Sequence, residues 1–454
     1  MRLNMRFVTA VRTLAMLVLV GTLVRAQAQE VEASGPARIG FPWDWSHQHV
    51  VYTNTSDLQA WEKFGQDPRF FHQWLRRNLP LFRENIIGSM GPVSSAGSIQ
   101  DDGREYLHRS HPRRMKRDWN TSLGNNGFVN ANTFPAKYTF NVNATPSCTM
   151  DYVVFPTGAN GSSSQASVVA FNQLYSTQGS TGGFCNKNGP SVDWAYLNAP
   201  CPATSSSDPV KSSPVLSVDG TRVAWVTATG KVQVLTIGTG GNNGAALTQG
   251  QGSPPLPVCI GGLTNNAALG SVTLSGSPTV SNSSVYVDYG NDVGYVGDDS
   301  GRLHKLTPFF NGSPTEVTTG GWPVTISATA TKILTAPVLD LTSNNIFIGD
   351  NEGTAGKLFY IRLAVGSLGT CNPGSNGGNP PCLGNSTLTV SSQQGLSDAP
   401  VVDSANKWVY TQTSNADGTS AKIFQADPTL TTVSTASVGD AGTKDLHAGD
   451  FDNT

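Results

Sequence analysis

Short apolar segments separated by glycine turns recur along this chain at intervals of about sixty residues. Each copy opens with a small or hydroxyl residue, a proline and a β-branched residue. Four clear copies begin at Ser213-Pro214-Val215, Ser277-Pro278-Thr279, Ala336-Pro337-Val338 and Ala399-Pro400-Val401. Short apolar runs bounded by glycine turns are typical of antiparallel strands, and repetition at a fixed period indicates a repeat architecture.

The order of runs and turns inside each copy predicts three strands. In the first copy, strands are expected at 213–216, 223–226 and 232–235, with turns at Asp219-Gly220 and Gly230. In the second copy, the inner strand is expected at 277–280 and the next strand at 285–287. An earlier, less regular copy begins at Asp151 and reaches Phe171, and a strand is expected before it at 137–142.

One sheet of three or four strands cannot bury both of its faces, so successive sheets stack around an axis. We therefore predict an all-β fold, a β-propeller of blades of about 60 residues, with about five blades between residues 119 and 454. Closed propellers with such blades commonly have more, and an open ring leaves exposed edges. The segment from Leu446 to Thr454 also resembles the start of another blade. The propeller is therefore expected to be incomplete and the chain a fragment.

The first 28 residues are typical of a signal peptide. Arg2, Arg6 and Arg12 precede an apolar run at 14–24, and Ala26-Gln27-Ala28 has the small-x-small pattern of a cleavage site. The run is too short for a membrane span, and no cysteine at the cleavage site could carry a lipid. We expect a periplasmic or secreted protein with no stable membrane span after signal cleavage.

Residues 29–118 are predicted to form a small, separate region with helices and a basic linker. The charged residues number 23 among these 90 positions but 33 among the 336 that follow, which indicates a boundary near Asp118. A short strand is expected at 49–52. Ser56-Asp57 can cap a helix, and apolar residues recur at helical spacing up to Leu75, with Pro68 favouring two short helices over one.

The overall charge is close to neutral, since the formal net charge is −2. This gives no electrostatic basis for binding nucleic acid or an anionic membrane surface. A protein or glycan partner remains compatible with the composition.

An even number of cysteines in an exported chain predicts disulfides. Cys371 and Cys382 flank a loop rich in Gly, Pro and Asn and are the favoured pair. Cys185 with Cys201 is the next choice, and Cys148 with Cys259 follows by elimination. None of these spacings fits a zinc site or a c-type haem.

The segment from Tyr295 to Leu306 reads YVGDDSGRLHKL. It resembles the repeat of quinoprotein-type propellers, which include pyrroloquinoline-quinone alcohol dehydrogenases, many non-enzymatic relatives and uncharacterised exported bacterial propeller proteins. That resemblance implies the propeller fold and makes a quinone an alternative cofactor. The enzymes carry adjacent cysteines and a repeated docking motif, whereas no two cysteines are adjacent here and Ala426-Asp427 is at most a fragment of the motif.

Several clusters could carry chemistry, each with a structural alternative. Asp298-Asp299 and Asp350-Asn351-Glu352 could bind Ca²⁺, but hairpin turns prefer the same residues. His304 fits a structural position on a blade strand. The remaining candidates for a shared metal are His47 with His49 and His108 with His111, and neither pair has an evident third ligand. No metal site is predicted, and no catalytic or cofactor-binding residue is assigned.

The resulting functional hypothesis is an exported, non-catalytic propeller that binds a protein or glycan partner. The alternative is a quinone-dependent oxidoreductase or another enzyme that uses the propeller as a frame. No Gly-x-Ser-x-Gly nucleophile motif occurs in the chain, and no cofactor is predicted, with pyrroloquinoline quinone or Ca²⁺ the less favoured alternatives.

Overall fold

The fold is seen in a computed structural model. It describes residues 40–44, 50–52, 55, 57–78, 123, 127–128, 133–140, 147–162, 164–176, 184–185, 189–200, 205–237, 258–260, 268–326, 332–351 and 355–442. All of them belong to one compact unit, residues 38–238 and 242–454.

Strands are the main regular structure of the described chain. In chain order, the strands are β1 (Gly40–Asp44), β2 (Val50–Val51), β3 (Ala136–Phe140), β4 (Tyr152–Pro156), β5 (Val168–Asn172), β6 (Ser191–Pro200), β7 (Val215–Leu216), β8 (Arg222–Val226), β9 (Lys231–Thr236), β10 (Val258–Ile260), β11 (Ala268–Thr273), β12 (Tyr286–Asp288), β13 (Val293–Gly297), β14 (Arg302–Leu306), β15 (Val324–Thr325), β16 (Ile333–Leu334), β17 (Val338–Asp340), β18 (Asn345–Asn351), β19 (Gly356–Arg362), β20 (Cys382–Ser391), β21 (Val401–Asp403), β22 (Trp408–Thr413), β23 (Ser420–Ala426) and β24 (Val433–Asp440). The helices of the described chain that precede β3 are α1 (Leu58–Phe64) and α2 (Pro68–Asn78).

Within the described residues these strands form five sheets, one for each blade. Their strand orders are β1-β3-β4-β5-β6-β10, β11-β9-β8-β7, β12-β13-β14-β15, β16-β18-β19-β20 with β17 also paired to β18, and β2-β21-β22-β23-β24. Neighbouring strands are antiparallel, except that β10 runs parallel to β6 and β2 parallel to β21. The fold is the predicted all-β propeller with blades of about sixty residues and a small helical segment near its start.

The core lies between successive sheets. One apolar cluster joins residues of the first and second blades, including Trp194 and Trp225. A second cluster joins the second and third blades, and a third extends through the third, fourth and fifth. Burial of these faces between blades is the main driving force for the fold, since burying apolar area contributes about 25 cal/mol per Å².

A hydroxyl residue ties each of three inner strands to the next strand of the same blade. The amide nitrogens of Val226, Gly297 and Gly349 donate hydrogen bonds of 2.9–3.0 Å to hydroxyls 14 residues earlier in the chain. Those acceptors are Ser212, Ser283 and Thr335. In two of these blades, the hydroxyl residue lies just before the recurring Pro phrase, and the inner strand begins after the proline.

The predicted inner strand of the second copy is wrong. Residues 277–280 form no strand, and the inner strand of that blade is β12, Tyr286–Asp288. The hydroxyl that matches Ser212 is Ser283, six residues after Ser277. Ser277 itself has a positive φ of 48°, as in a turn. The strand expected at 285–287 is therefore the first of its blade and not the second.

The other predicted strands and helices of the described chain are confirmed. The three strands of the first copy are β7, β8 and β9, the earlier copy supplies β4 and β5, and the strand before it is β3. The short strand expected at 49–52 is β2. The helical segment is divided at Pro68 into two short helices, as expected. The Asp57 side chain caps α1 by accepting from the amide of Gln59. The sequence also predicts a lead-in strand and turn from Trp119 to Phe128, and this segment lies almost wholly outside the described residues.

The segment before β3 hydrogen-bonds directly to the blades. β1 pairs with β3, and β2 pairs with β21 of the fifth blade. The Gln73 side chain of α2 fixes β2, since it donates to the carbonyl of Val50 and accepts from the amide of Tyr52. The division of the chain at 28 and 118 stays a prediction.

Two disulfides lie in the described chain, and they only partly match the predicted pairs. Cys371–Cys382 is confirmed. Cys148 bonds to Cys185, so the predicted pairs Cys185–Cys201 and Cys148–Cys259 are wrong. Cys148 and Cys185 are 37 residues apart, yet the amide of Gln173, in the turn after β5, donates to the Cys148 carbonyl and so draws the two segments together. No helix in the described chain is long and apolar enough to span a membrane.

Two buried tyrosines give a matched test of this core. The Tyr152 hydroxyl donates to the Gly220 carbonyl at 2.8 Å, whereas the buried Tyr196 hydroxyl has no partner among the described residues. A buried unsatisfied hydroxyl is costly, and a satisfied one contributes about 0.5–1.5 kcal/mol. We expect Tyr152→Phe to lower the free energy of unfolding by about that amount and Tyr196→Phe to leave it equal or higher. Urea unfolding measures both. Equal losses in the two variants would contradict this account.

Candidate functional site

A cavity of about 510 Å³ opens between a segment of the third blade and a loop of the fourth. The first wall is residues 321–326, which contain β15, and the second is the loop between β19 and β20. We call this space the Trp322 cavity. Its lining residues are Gly321, Trp322, Pro323, Val324, Thr325, Ile326, Asn372, Gly374, Ser375, Asn376 and Leu383.

The aromatic wall of the cavity is held by its blade. Trp322 is nine-tenths buried, and its ring lies 5.8 Å from that of Tyr295 on β13. Lys305 pairs with Tyr295 across β13 and β14, and its ammonium lies 5.7 Å from the centre of the indole. A cation at that distance is attracted to the ring. The indole is therefore fixed between an aromatic ring and a positive charge.

The polar wall is a loop held by its own hydrogen bonds. The Leu383 amide donates to the Ser375 hydroxyl at 2.8 Å, and the Asn372 amide donates to the Leu383 carbonyl at 2.8 Å. The Asn376 side chain donates to the Asn379 and Pro381 carbonyls. It also lies against Gly321 of the opposite wall, where an added Cβ would come 2.4 Å from its nitrogen. Gly321 has φ +89°, so this approach requires glycine.

The cavity is electrically neutral along its lining. Its side chains are one indole, two amides, two hydroxyls and aliphatic groups, and none is charged. Volumes of about 300–1,000 Å³ are usual for small-molecule sites, in which a few polar groups orient a ligand against apolar surface. This arrangement suits a neutral ligand with a flat apolar face and a rim of hydroxyl groups. The Lys305 ammonium contacts Trp322 from outside this list of lining residues.

His304 lies inside the third blade, away from solvent. Its Nε2 is 3.1 Å from Asp298 Oδ2 and its Nδ1 is 2.6 Å from Glu316 Oε1. Burial opposes charge on the imidazole, but the hydrogen bonds and charges of the two carboxylates raise the pKa of His304. The same contacts lower the pKa of Asp298 and of Glu316 against the effect of burial. Both ring nitrogens are occupied, so His304 has no free nitrogen for substrate.

A second buried ionic group joins α2 to the third blade. The Arg69 guanidinium donates to both carboxylate oxygens of Asp67, at 2.7 and 2.5 Å, and to the Val287 carbonyl at 3.2 Å. It also lies 4.4 Å from the ring centre of Tyr286. Burial lowers the pKa of Arg69, but Asp67 and the neighbouring tyrosines raise it well above its usual value, so the group stays charged.

The acidic residues singled out in the sequence contact protein groups. Asp298 accepts from the amides of Ser300 and Arg302, and Asp299 accepts from Ser281. Asp350 accepts from Lys332 and from the amide of Lys357. Glu352, His47, His49, His108 and His111 lie outside the described residues. Where the chain is described, no three His, Cys, Asp or Glu side chains are grouped to hold a metal ion.

The residues do not fit the quinone that the repeat resemblance implies. The two described disulfides join cysteines 37 and 11 residues apart, so neither is the adjacent pair that stacks on the quinone. No chemical step is therefore assigned to such a cofactor. Sequence reasoning missed the Trp322 cavity, because its walls are fifty residues apart and belong to different blades. The Gly/Pro/Asn loop between the two cysteines was the one visible signal.

Neither a protein-family model nor a curated relative matches this sequence. Solved structures with a similar arrangement are β-propellers. A candidate 6-phosphogluconolactonase of Bacteroides uniformis is 13% identical, with 68% of this chain and 76% of that chain covered and a TM-score of 0.35. A periplasmic gluconolactonase of Pseudomonas aeruginosa is 12% identical (68% and 82%, TM-score 0.31), and BamB of Moraxella catarrhalis is 12% identical (70% and 71%, TM-score 0.28). At these identities the likeness concerns the fold alone.

The prediction of a non-catalytic binding propeller is wrong. Two of these three propellers are named as gluconolactonases, so the propeller frame gives no ground for a non-catalytic function. The alternative, an enzyme that uses the propeller as a frame, is a proposal.

Proposed function

We propose that this chain is a hydrolytic enzyme that uses the propeller as a rigid frame and takes a neutral sugar lactone into the Trp322 cavity. The observation that carries the proposal is the uncharged lining around one fixed indole. A sugar ring has a face of C–H groups that can lie on the indole and hydroxyls that can bond to amide and hydroxyl groups. The names of the two gluconolactonases suggest the first substrates to test, whereas the proposal rests on the lining of the cavity.

Hydrolysis of a lactone needs only water as co-reactant. Water adds to the carbonyl carbon, the ring C–O bond breaks, the ring oxygen leaves as a hydroxyl, and the acid product releases one proton. Negative charge develops on the carbonyl oxygen, and a nearby cation that is positioned in advance stabilises it. Lys305 is proposed for this role, because its ammonium lies 5.7 Å from the centre of the indole that would hold the ring.

The proposal also includes export from the cytoplasm and repeats of the quinoprotein type. Cysteine pairs such as Cys371–Cys382 form and persist in oxidising compartments, which supports export by the predicted signal peptide to the periplasm or beyond. The dipeptide Gly297-Asp298 recurs as Gly349-Asp350. The first lies at the end of β13 in the third blade and the second near the end of β18 in the fourth. That recurrence supports repeats of the quinoprotein type.

Lactone hydrolysis by the purified, oxidised protein tests the function. We expect proton release from glucono-δ-lactone in a pH-stat to exceed the spontaneous rate and to saturate with substrate. Lys305→Met should lower kcat by about 10²–10³-fold, the effect of removing one oxyanion donor, whereas Lys305→Arg should retain more activity. Trp322→Phe should mainly raise KM.

Lys422→Met is the matched control, because Lys422 forms an exposed pair with Asp417 on the fifth blade. Its kcat and KM for the lactone should equal those of the parent protein. Equal proton release with and without the protein, for glucono-δ-lactone and other neutral sugar lactones, would overturn the proposal. So would full activity in Lys305→Met.

A further inference from the structure

The polar wall of the Trp322 cavity lies within a disulfide ring. Cys371 and Cys382 are 11 residues apart, and the lining residues Asn372, Gly374, Ser375 and Asn376 all lie between them. Leu383, the last lining residue, follows Cys382 directly. The opposite wall, residues 321–326, belongs to the preceding blade and carries no cysteine. The disulfide therefore closes one wall of the cavity and does not touch the other.

The other contacts of this loop join it to its own residues and to the start of β20. The Asn376 side chain donates to the Asn379 and Pro381 carbonyls, whereas Asn372 and Ser375 bond to the backbone of Leu383. A disulfide reduces the number of conformations that a loop gains when it opens. The Cys371–Cys382 bond therefore adds a covalent constraint to the hydrogen bonds that hold the polar wall on β20.

The bridge is also open to thiol chemistry on one side. Cys382 is fully buried, whereas Cys371 is half-buried. Arg362 Nη1 lies 3.5 Å from Cys371 Sγ. A guanidinium next to a sulfur stabilises the thiolate form, which is the form that reacts in thiol–disulfide exchange. The Cys371 thiol is therefore placed to form the bridge when a disulfide oxidant meets the reduced chain.

We propose that the Trp322 cavity is assembled by oxidation: the Cys371–Cys382 bond puts the polar wall in place, and the reduced protein has the propeller but not the ligand site. In forming the bond, the two thiols give two electrons and two protons to a disulfide oxidant, which leaves as a dithiol. Dithiothreitol reverses the step, as it becomes a cyclic disulfide and the protein regains two thiols. This inference names the regulation of the proposed site, but its structural part does not depend on the proposed substrate.

Hydrogen exchange of the full chain provides the test. We expect Cys371→Ser/Cys382→Ser to speed amide exchange at residues 372–383 by about tenfold or more, and to leave β18 and β19 of the same blade unchanged. A tenfold change is equivalent to about 1.4 kcal/mol. Dithiothreitol on the parent protein should give the same local change. Saturable binding or turnover of glucono-δ-lactone should fall in parallel.

The second disulfide supplies the matched control. Cys148→Ser/Cys185→Ser removes a bridge of the first blade, far along the chain from the cavity, and should leave exchange at 372–383 and lactone kinetics unchanged. Unchanged exchange at 372–383 in Cys371→Ser/Cys382→Ser would overturn the inference, as would an equal effect of the control. If exchange rises as expected but no sugar lactone binds to any form, the structural inference holds and only the proposed function fails.

Discussion

Replacing Arg69 by Met should destabilise the protein by about 3–5 kcal/mol, the usual cost of leaving one partner of a buried ion pair alone. Asp67 would keep its bond from the Tyr52 hydroxyl but lose both contacts to the guanidinium. Its carboxylate is more than nine-tenths buried, so water cannot replace them. The contact of Arg69 with the Val287 carbonyl would also be lost, which loosens α2 from β12.

A second substitution separates the ion pair from the packing of α2. Asp67 also caps α2, because its Oδ1 accepts from the amide of Arg69, and serine keeps that capping ability without the charge. Asp67→Ser/Arg69→Met should therefore be clearly more stable than Arg69→Met alone when both are measured by urea unfolding. Equal stability of the two variants would show that the loss comes from packing and not from the unpaired charge. Lys422→Met, in an exposed pair, should change stability by less than about 1 kcal/mol.

Replacing His304 by Gln should cost most at mildly acidic pH. The imidazolium bridges Asp298 and Glu316, which would otherwise face each other inside the blade. The cost should again reach about 3–5 kcal/mol, because two buried carboxylates would lose their shared cation. Glu316 would keep its bonds from the amide and hydroxyl of Ser275, and Asp298 would keep those from Arg302.

The direction of the pH dependence follows from the three pKa shifts. The pKa of His304 is raised in the folded state, so its contribution is complete below the unfolded value of about 6.5. That contribution is lost as the pH rises through the folded pKa. The pKa values of Asp298 and Glu316 are lowered, so their contributions are complete above about 4.3 and are lost as the pH falls through the folded values.

The stability difference between the parent and His304→Gln should therefore be largest between about pH 5 and 6.5 and should shrink towards alkaline pH. Urea unfolding at pH 5.5, 7 and 9 measures it. A difference that does not vary over this range would mean that His304 acts as a neutral packing group. Lys422→Met again serves as control, and its small effect should show no maximum in that window.

Patterns local in the sequence were predicted well, because their cause is local. The Pro phrase marks three inner strands, since a strand can begin directly after a proline, and Pro68 divides the helical segment because it cannot continue α1. The same phrase at Ser277 gave a wrong prediction. Its composition matches that of the other copies, but the hydroxyl that anchors the inner strand belongs to Ser283.

Features that depend on which segments meet in space could not be predicted. Cys148 and Cys185 are joined because β4 and β5 lie between them in one blade, whereas spacing alone favoured Cys201. The cavity needs Trp322 from one blade and Asn372 from the next. Nothing near Arg69 in the sequence indicates that Val287 and Tyr286, over two hundred residues later, cover it.

The hydroxyl ties at Ser212, Ser283 and Thr335 have a consequence for local opening of the blades. Each tie joins an inner strand to the next strand of the same blade. Strands bonded in this way open as one cooperative unit, or foldon. Under native conditions, the amides of the two tied strands should therefore exchange as a group.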